Sequence, residues 1–551
     1  MRKQTKLVAV LSASALLAIG ASMTSFAASP WVEENGTWVY YEKNGEKATE
    51  VWRKSGDKWY WLNEDGEMAT DTLVEVDDDH YYVDANGAMV IGEWKEVPNE
   101  DYDGDDSDEP MNWWYYFGSN GKAYKTGNSN TLASFKTING HKYIFDEDGK
   151  MLYGWIDQYG VRQTGDTAWQ NGMYYCGDEH DGRQRNNEWA YLDIVDTLFE
   201  STDINTSTRS TFDDENQTRW FWFLANGKKV IDKDNYNING KRYSFDMDGR
   251  MNAEWATKRG TSSTAPNAAK GASANDASYT GLFRYYGDPA DGAKVTRGFF
   301  KVVPDEYLDT KDYNDSQERT YYADRNGNLV ASKIETISGK KYAFNAAGEM
   351  QTGLKAISKN SSNVILGIKN SDDSVLPFDT YDLFKENVND LRASGYELYF
   401  FGSDGVMRTG KQSVTIDGDN YTFLFNKSGS NKGAGKTGID NQKYYMGGML
   451  MAAERSDKYA VVKIDSNNNT YKLLTTDDFL NDPDVTFNTT NPDSSKYDEY
   501  YKVASVTPGV TYNLVNTAGT IQKNKAKAKD GDGQCYNVNR SGDITDVYVE
   551  S

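Results

Sequence analysis

With 551 residues, 49 Gly, 39 Tyr and only 10 Pro, the chain is long enough for several domains, and its composition suits many short strands joined by turns. Its 83 Asp and Glu against 60 Lys and Arg give a formal charge of −23. A field of that sign repels nucleic acid and bare anionic polymers and concentrates small cations.

The chain opens with "MRKQTK", the apolar run "LVAVLSASALLAIGA" and "SFAAS". A basic start, a short apolar core and small residues at Ser25 and Ala27 predict a secretory leader, residues 1–27, cut after Ala27. The apolar run, about fifteen residues, falls short of the roughly twenty that a membrane span needs. Loss of Arg2, Lys3 and Lys6 with the leader leaves 57 basic against 83 acidic residues, a charge of −26. No later stretch is apolar enough to span a membrane, and the final "GDITDVYVES" carries neither a lipidation motif nor a sorting signal. Retention at a cell surface is therefore expected to be noncovalent. Two cysteines, Cys176 and Cys535, make no disulfide framework; a long-range bridge in an exported chain and two unpaired small side chains both stay open.

After the leader a repeat sets in. "TWVYYEKNGEKAT" (37–49), "KWYWLNEDGEMAT" (58–70) and "HYYVDANGAMV" (80–90) have turn glycines Gly45, Gly66 and Gly87, spaced 21 residues apart. A fixed period near twenty predicts a repeat architecture. Within "KWYWL", strand alternation puts Trp59 and Trp61 on one face and Tyr60 and Leu62 on the other. The following "NEDG" has the Asx and Gly residues of a tight turn, so each unit reads as one β-hairpin around it. A lone hairpin is marginal in water, which requires the units to stack and share a core. Tyr60 and Leu62 are assigned to that core, and Trp59 and Trp61 to a groove between neighbouring hairpins.

The stretch "VWRKSGDKWYWLNEDGEMAT" (51–70) resembles the cell-wall-binding, or choline-binding, repeat, whose pattern runs roughly G-W, a few polar residues, G-x-W-Y-Y-F, a turn, then G-x-M-x-T-G-W. Val51 stands here in place of the Gly before Trp52. The resemblance implies a mainly β fold, a solenoid of stacked β-hairpins with little helix. Related repeats occur in choline-binding surface proteins, lytic enzymes, glucan-binding regions and clostridial toxin tails, so the pattern specifies fold more than ligand.

Further along, units of the same type appear as "NWWYYFGSNGKAYKTG" (112–127), "RWFWFLANGKKV" (219–230), "RTYYADRNGNLV" (319–330) and "ELYFFGSDGVMRTG" (397–410). Each is followed by a second type: "INGHKYIFDEDGKM", "INGKRYSFDMDGRM", "ISGKKYAFNAAGEM" and "IDGDNYTFLFNKSG". The turn glycines Gly149, Gly249, Gly348 and Gly429 of this second type lie 100, 99 and 81 residues apart, a super-repeat of about a hundred. Where the first type has Trp59 and Trp61, the second has Lys142 and Ile144, Arg242 and Ser244, Lys341 and Ala343, Asn420 and Thr422. The opposite face keeps a Tyr and a Phe each time, as in Tyr143 and Phe145. One face held while the other varies reads as core against groove. "YDLFKENVNDLRA" (381–393) has apolar residues at helical spacing and predicts a turn or two of packed surface helix. Even the tail keeps the beat, with Gly519 and Gly542 in "YNLVNTAG" and "YNVNRSG" 23 residues apart.

A quaternary ammonium needs two or three ring faces, each cation–π contact contributing about 0.5 to 2 kcal/mol. All 14 Trp lie between Trp31 and Trp255, which places aromatic sites in the N-terminal half. By the resemblance, cages form between consecutive repeats, and Trp38, Trp52, Trp59, Trp61, Tyr82, Trp114 and Tyr116 are the expected ligand-binding residues, as an aromatic cage or a sugar platform. His80 stands where the third unit would have its strand Trp. The expected partner is choline on teichoic acid, or a cell-wall or α-glucan polysaccharide, whose sugars would use the same rings with neighbouring Asp, Asn and Gln. A scaffold or adhesin that meets a protein or host glycan through its C-terminal half is the third reading.

Other chemistry is poorly supported. "DYDGDDSDEPMN" (101–112) spaces Asp101, Asp103 and Asp105 as a calcium loop would, but Gly104 sits two places early and Asn112 replaces the closing Glu, so a solvated acidic loop is expected. His80, His141 and His180 lack metal-ligand spacing. With no nucleophile motif and no phosphate loop, a noncatalytic chain without cofactor is expected. The organisation that follows is a leader at 1–27, wall-binding repeats at 28–95, divergent repeats with acidic insertions at 96–450, and divergent β repeats at 451–551. The expected setting is the exterior of a Gram-positive-type wall.

Overall fold

The structure, a computed structural model, describes residues 30–104, 109–126, 132–195, 216–257, 277–370 and 374–551. The expected leader and part of the acidic loop, residues 105–108, lie outside the described residues. The fold is mainly β, built largely from small antiparallel sheets of two or three strands. Two units are distinguished: Met1–Glu254 with Asp288–Ala293, and Trp255–Gly287 with Lys294–Ser551.

In the first unit, consecutive strands pair as hairpins: Trp31–Glu34 with Thr37–Tyr40, Val51–Ser55 with Lys58–Leu62, Thr72–Val76 with Asp79–Val83, and Glu93–Pro98 with Asn112–Phe117. The turn that joins the second pair is Gly56–Asp57, not the "NEDG" stretch that the sequence reading placed there. Gly56 has φ +62°, the positive value that the first central residue of a type II′ turn requires. The Asn63–Gly66 turn is a separate device. The Asn63 carbonyl accepts from Gly66 N–H at 3.0 Å and its Oδ1 from Glu67 N–H at 2.8 Å. The chain thereby returns to a bridge between Leu62 and Met68.

That return stitches each hairpin to the one before it. Met68 N–H donates to the Trp38 carbonyl, Met89 to Trp59, Met151 to Trp114 and Met251 to Trp220, each at 2.8 Å. In the second unit Met350 and Met407 repeat the bond with Thr320 and Lys341, again at 2.8 Å. The Met side chains pass close by the turn glycine of the following hairpin. A Cβ on Gly182 would lie 2.3 Å from Met151 Sδ, and Gly182 itself has φ +53°, so both backbone and space demand glycine here.

Tyr60 and Leu62 are buried, as expected for core, while Trp59 is 43% exposed and Trp61 half-buried. The division into a core face and a groove face does not carry over to the second type of unit. Ile144, Ser244 and Ala343, on the varying face, are as buried as the Phe residues opposite. Ile144 packs with Leu152, Ile156, Tyr174 and Cys176; Ala343 packs with Ile334, Ile357 and Tyr399. Ser244 accepts from Asn252 Nδ2 at 2.8 Å. The physical reason is the stack itself: a hairpin with a neighbour on each side has two covered faces, and the varying one is covered by the unit that follows.

The second unit continues with hairpins such as Gly298–Val302 with Arg319–Ala323 and Lys333–Ile337 with Lys340–Phe344. Tyr381–Ala393 is a helix of 13 residues, longer and more central than a surface turn. Thr380 caps it by accepting from Leu383 N–H at 3.2 Å, and Phe384, Val388 and Leu391 enter a core with Phe423 and Phe425. Beyond residue 451 the chain stays β but leaves plain hairpin succession. Tyr459–Asp465 pairs with the distant Val510–Asn516, and Tyr497–Val506 with Ile544–Glu550. Cys176 and Cys535 are both buried and free. Among the described residues, no helix is long and apolar enough to cross a membrane.

Candidate ligand site: aromatic junctions between hairpins

Strand pairing sets two rings side by side at each junction. Trp52 stands opposite Trp61 in the second hairpin, with ring centroids 5.3 Å apart. The third ring comes from the next hairpin: Tyr81 lies 5.2 Å from Trp52. One period earlier the equivalent residues are Trp31, Tyr40 and Tyr60, with Trp31 at 5.3 and 5.6 Å from the other two. The rule is a ring on the first strand, its cross-strand partner, and the ring that the following hairpin presents from the face assigned to its core. Tyr60 and Tyr81 therefore serve stacking and junction at once.

The same rule finds further junctions. Trp94, Tyr116 and Tyr143 meet at 5.1 and 4.9 Å. Trp189, Trp222 and Tyr243 meet at 5.2 and 5.0 Å. Trp155, Tyr175 and Phe221 meet at 5.0 and 5.2 Å. In the second unit Trp255 joins Tyr285 and Tyr321 at 5.2 and 5.1 Å, and Phe299 joins Tyr322 and Tyr342 at 4.9 Å each. The third hairpin breaks the series, because Leu73 stands where a first-strand ring would pair with Tyr82.

The junctions differ in access and charge. Trp52, Trp61 and Tyr81 are all half-buried, as are Trp94, Tyr116 and Tyr143. Phe299 is exposed, whereas Trp255 and Tyr321 are buried. The Arg53 guanidinium lies 5.4 Å from the Tyr40 ring while bonded to Glu42, and the Lys229 ammonium lies 5.1 Å from the Trp155 ring. At the Trp189 junction Trp222 and Tyr243 are also buried. Among the described residues no Lys or Arg stands over a ring of the three more open junctions, those of Trp52, Trp94 and Phe299. Burial raises the Tyr143 and Tyr243 phenol pKa values, and the Asp181 and Asp291 carboxylates nearby add to the rise. Both carboxylates are paired within the protein, Asp291 with Lys241 at 2.8 Å and Asp181 with Arg183 and Arg185.

Of the seven expected residues, Trp52 and Trp61 share a junction and Tyr116 belongs to another. Trp38 packs against the Trp31, Tyr60 and Met68 cluster. Trp59 stands exposed on the strand, and Trp114 packs beside Phe145 and Met151. Tyr82 is buried at the broken junction, its hydroxyl donating to Asp71 at 2.8 Å and its pKa pushed up to about 12 by burial and that bond. The sequence reading did not name Tyr81, Trp94 or Tyr143 as ligand residues. For Tyr81 a signal was present, a pair spacing of nine (Trp31 to Tyr40, Trp52 to Trp61) and a third ring twenty residues later; the insertion in the hairpin of Trp94 and Tyr116 stretches these spacings to 22 and 27 and hides the other two.

One acidic cluster merits a separate account. Carboxylate oxygens of Asp309, Asp312 and Glu349 come within 4.8 Å of one another. The Arg319 guanidinium occupies both Asp312 oxygens, so the cluster is already partly neutralised by the protein's own cation.

A succession of paired hairpins with aromatic residues between consecutive units defines a β-hairpin repeat protein. Residues 48–94, which contain the Trp52, Trp61 and Tyr81 junction, match the choline-binding repeat, and residues 134–151 match a putative cell-wall-binding repeat. The chain thus carries repeats of the choline-binding family. No curated protein matches it. Among solved structures, it is similar to CbpF of Streptococcus pneumoniae, crystallised with ipratropium, at 18% identity over 74% of this chain and 98% of that one, TM-score 0.31. CbpJ of the same species is 16% identical over 76% of this chain and 99% of that one, TM-score 0.25. The modular autolysin LytC, also from Streptococcus pneumoniae, is 19% identical over 60% of this chain, TM-score 0.30; the match spans about 55% of the length of LytC.

Proposed function

We propose that this is an exported, noncatalytic protein that attaches to the cell wall by binding choline on teichoic acid at its aromatic junctions. The Trp52, Trp61 and Tyr81 junction carries the reading: three partly open rings, two of them within 5.3 Å of Trp52, no cation of their own, in a segment that matches the choline-binding repeat. Such a site suits a quaternary ammonium, whose charge is attracted by ring faces and whose methyl groups displace water from them. The net charge of −23 draws the cation in. Three junctions have a ring set with open access, those of Trp52, Trp94 and Phe299.

A second reading has an observation of its own. Tyr191, 56% exposed, stacks on Trp220 at 4.7 Å with an interplanar angle of 28°. A flat exposed platform of that kind suits a sugar ring better than an ammonium, and favours wall or α-glucan polysaccharide. Equilibrium dialysis of the protein against labelled choline, and separately against α-glucan oligosaccharides, tests both. Each site is expected near the millimolar range, about −4 kcal/mol, with saturation at about three cholines per chain from the junction geometry. Binding of oligosaccharide with no choline bound refutes the first reading, and silence with both turns attention to a protein partner.

A further inference from the structure

Every stitched hairpin places one side chain eight residues after the ring that closes its junction. Met68 follows Tyr60, Met151 follows Tyr143 and Met251 follows Tyr243 at that spacing. Each of these Met residues packs into the ring cluster of its own junction: Met68 with Trp31 and Tyr60, Met151 beside Trp94 and Tyr143, Met251 beside Trp189 and Tyr243. At the junction closed by Phe221, the residue at that spacing is Lys229.

Lys229 follows the same path as the methionines. Its N–H makes the same stitch, to the Met173 carbonyl at 2.8 Å. Its stem passes the turn glycine of the next hairpin, where a Cβ on Gly249 would meet Lys229 Cδ at 2.8 Å. Only the end differs. The ammonium stops 5.1 Å from the Trp155 ring centroid and 5.9 Å from that of Phe221, and it donates to the Trp169 carbonyl. The side chain is 4% exposed and no described carboxylate bonds it. A buried ammonium without a bonded counterion is costly, and ring faces with a carbonyl are what compensates it here. Asp246 and Asp248 act on it from a distance, and burial lowers its pKa to about 8, which leaves it mostly charged at neutral pH.

We propose that Lys229 is a tethered occupant of the Trp155 junction: its ammonium takes the place a ligand cation would take, which removes this junction from choline binding and turns it into a fastening. What it fastens is the segment Ala168–Asn171, a short helical turn inserted between the strands Arg162–Gln163 and Tyr174–Cys176. Trp169 from that turn packs on Phe221 at 6.4 Å, sends its Nε1–H to the Val195 carbonyl at 2.8 Å, and presents its own carbonyl to Lys229. Trp155 is only 7% exposed beneath it, while Tyr175 remains half-buried and keeps one side of the box near solvent. At this junction the residue at the eighth position thus decides the occupant: where a thioether would bring no charge, the lysine fills the ring faces from within. This rests on the choline reading above.

The test counts bound choline on the full chain by equilibrium dialysis, with wild type, Lys229→Met and Trp155→Phe side by side. Wild-type saturation first decides the choline reading by itself. Lys229→Met is expected to bind one choline more than wild type, and to lose that extra choline when Trp155→Ala is added. A folded Lys229→Met that binds no more than wild type overturns the inference, whether or not wild type binds choline. Trp155→Phe keeps Lys229 and disturbs the fold least; it is expected to bind the wild-type number with unchanged affinity. Loss of one bound choline in Trp155→Phe would mean that the junction is open to ligand despite Lys229, and would overturn the inference even if Lys229→Met does not fold.

Discussion

Two tryptophans two residues apart on one strand, Trp59 and Trp61, are expected to respond in opposite ways to truncation. Trp61 faces Trp52 at 5.3 Å and shares its junction with Tyr81. Trp61→Ala takes that site from three rings to two, which should weaken it by about 0.5 to 2 kcal/mol, roughly 2- to 30-fold. One site in the isotherm should shift by that factor, and at the roughly 30-fold end it moves to tens of millimolar and drops out of a count taken at a few millimolar choline. The same change should cost about 1 to 3 kcal/mol of stability, from a half-buried aromatic and its ring pair. Trp59 is 43% exposed and stands outside every ring set described; Trp59→Ala should leave the count unchanged and stability within about 0.5 kcal/mol. Equilibrium dialysis gives the count, and urea unfolding gives the stability. Equal losses of choline in the two variants, or an unchanged isotherm in a folded Trp61→Ala, would refute the ring-set rule.

Two predictions concern the scaffold. Glu349 is buried, and that burial, with Asp309 and Asp312 nearby, pushes its pKa up to about 7. The protonated form is the one the fold prefers, so its contribution is full below the unfolded value of about 4.3 and is lost as pH rises through 7; urea midpoints should fall between pH 5 and 8, and Glu349→Gln should flatten that slope, an unchanged slope counting against the assignment. Gly182→Ala combines a φ of +53° with a Cβ placed 2.3 Å from Met151 Sδ. It should cost about 1 to 2 kcal/mol, of which Met151→Ala in the same chain recovers the part due to contact; strictly additive losses in the double variant would show that the two residues do not meet.

The hairpin period, the β class and the burial of Tyr60 and Leu62 are legible in the sequence because a 21-residue spacing and strand alternation are local properties. Which turn closes the hairpin was not, since "SGDK" and "NEDG" both carry the Gly and Asx residues of tight turns, and only the cross-strand register of Trp52 with Trp61 decides between them. The partners of Trp52 were half legible. Trp61 follows from the hairpin, but Tyr81 comes from the next unit and from the face that alternation assigns to core. The expectation that the varying face of second-type units is open failed at Ile144 and Ala343 for the same reason: one hairpin viewed alone has an inside and an outside, and a hairpin in a stack has two neighbours. Past residue 451, pairings such as Tyr459 with Asn516 join strands more than fifty residues apart, which no short-range pattern reports.

The ring-set rule also explains why binding and stacking cannot be separated in this architecture. The third ring of each junction belongs to a different hairpin from the first two, so a cation held by Trp52, Trp61 and Tyr81 is held by two consecutive units. Any free energy of binding is then free energy of stacking: ligand at a hundred times its dissociation constant adds about 2.7 kcal/mol per site to the folded state, comparable to the packing of one buried aromatic side chain. In a repeat array whose stability is a sum over neighbouring interfaces, the proposed choline binding would add this free energy to a junction already held by backbone stitches and shared core. On the inference drawn for Lys229, whose ammonium lies 5.1 Å from the Trp155 ring, that junction would gain the same kind of contact without ligand. It lies in the first unit between the junctions of Trp94 and Trp189 along the chain, and the segment that carries the inserted turn is expected to keep its packing in the absence of choline.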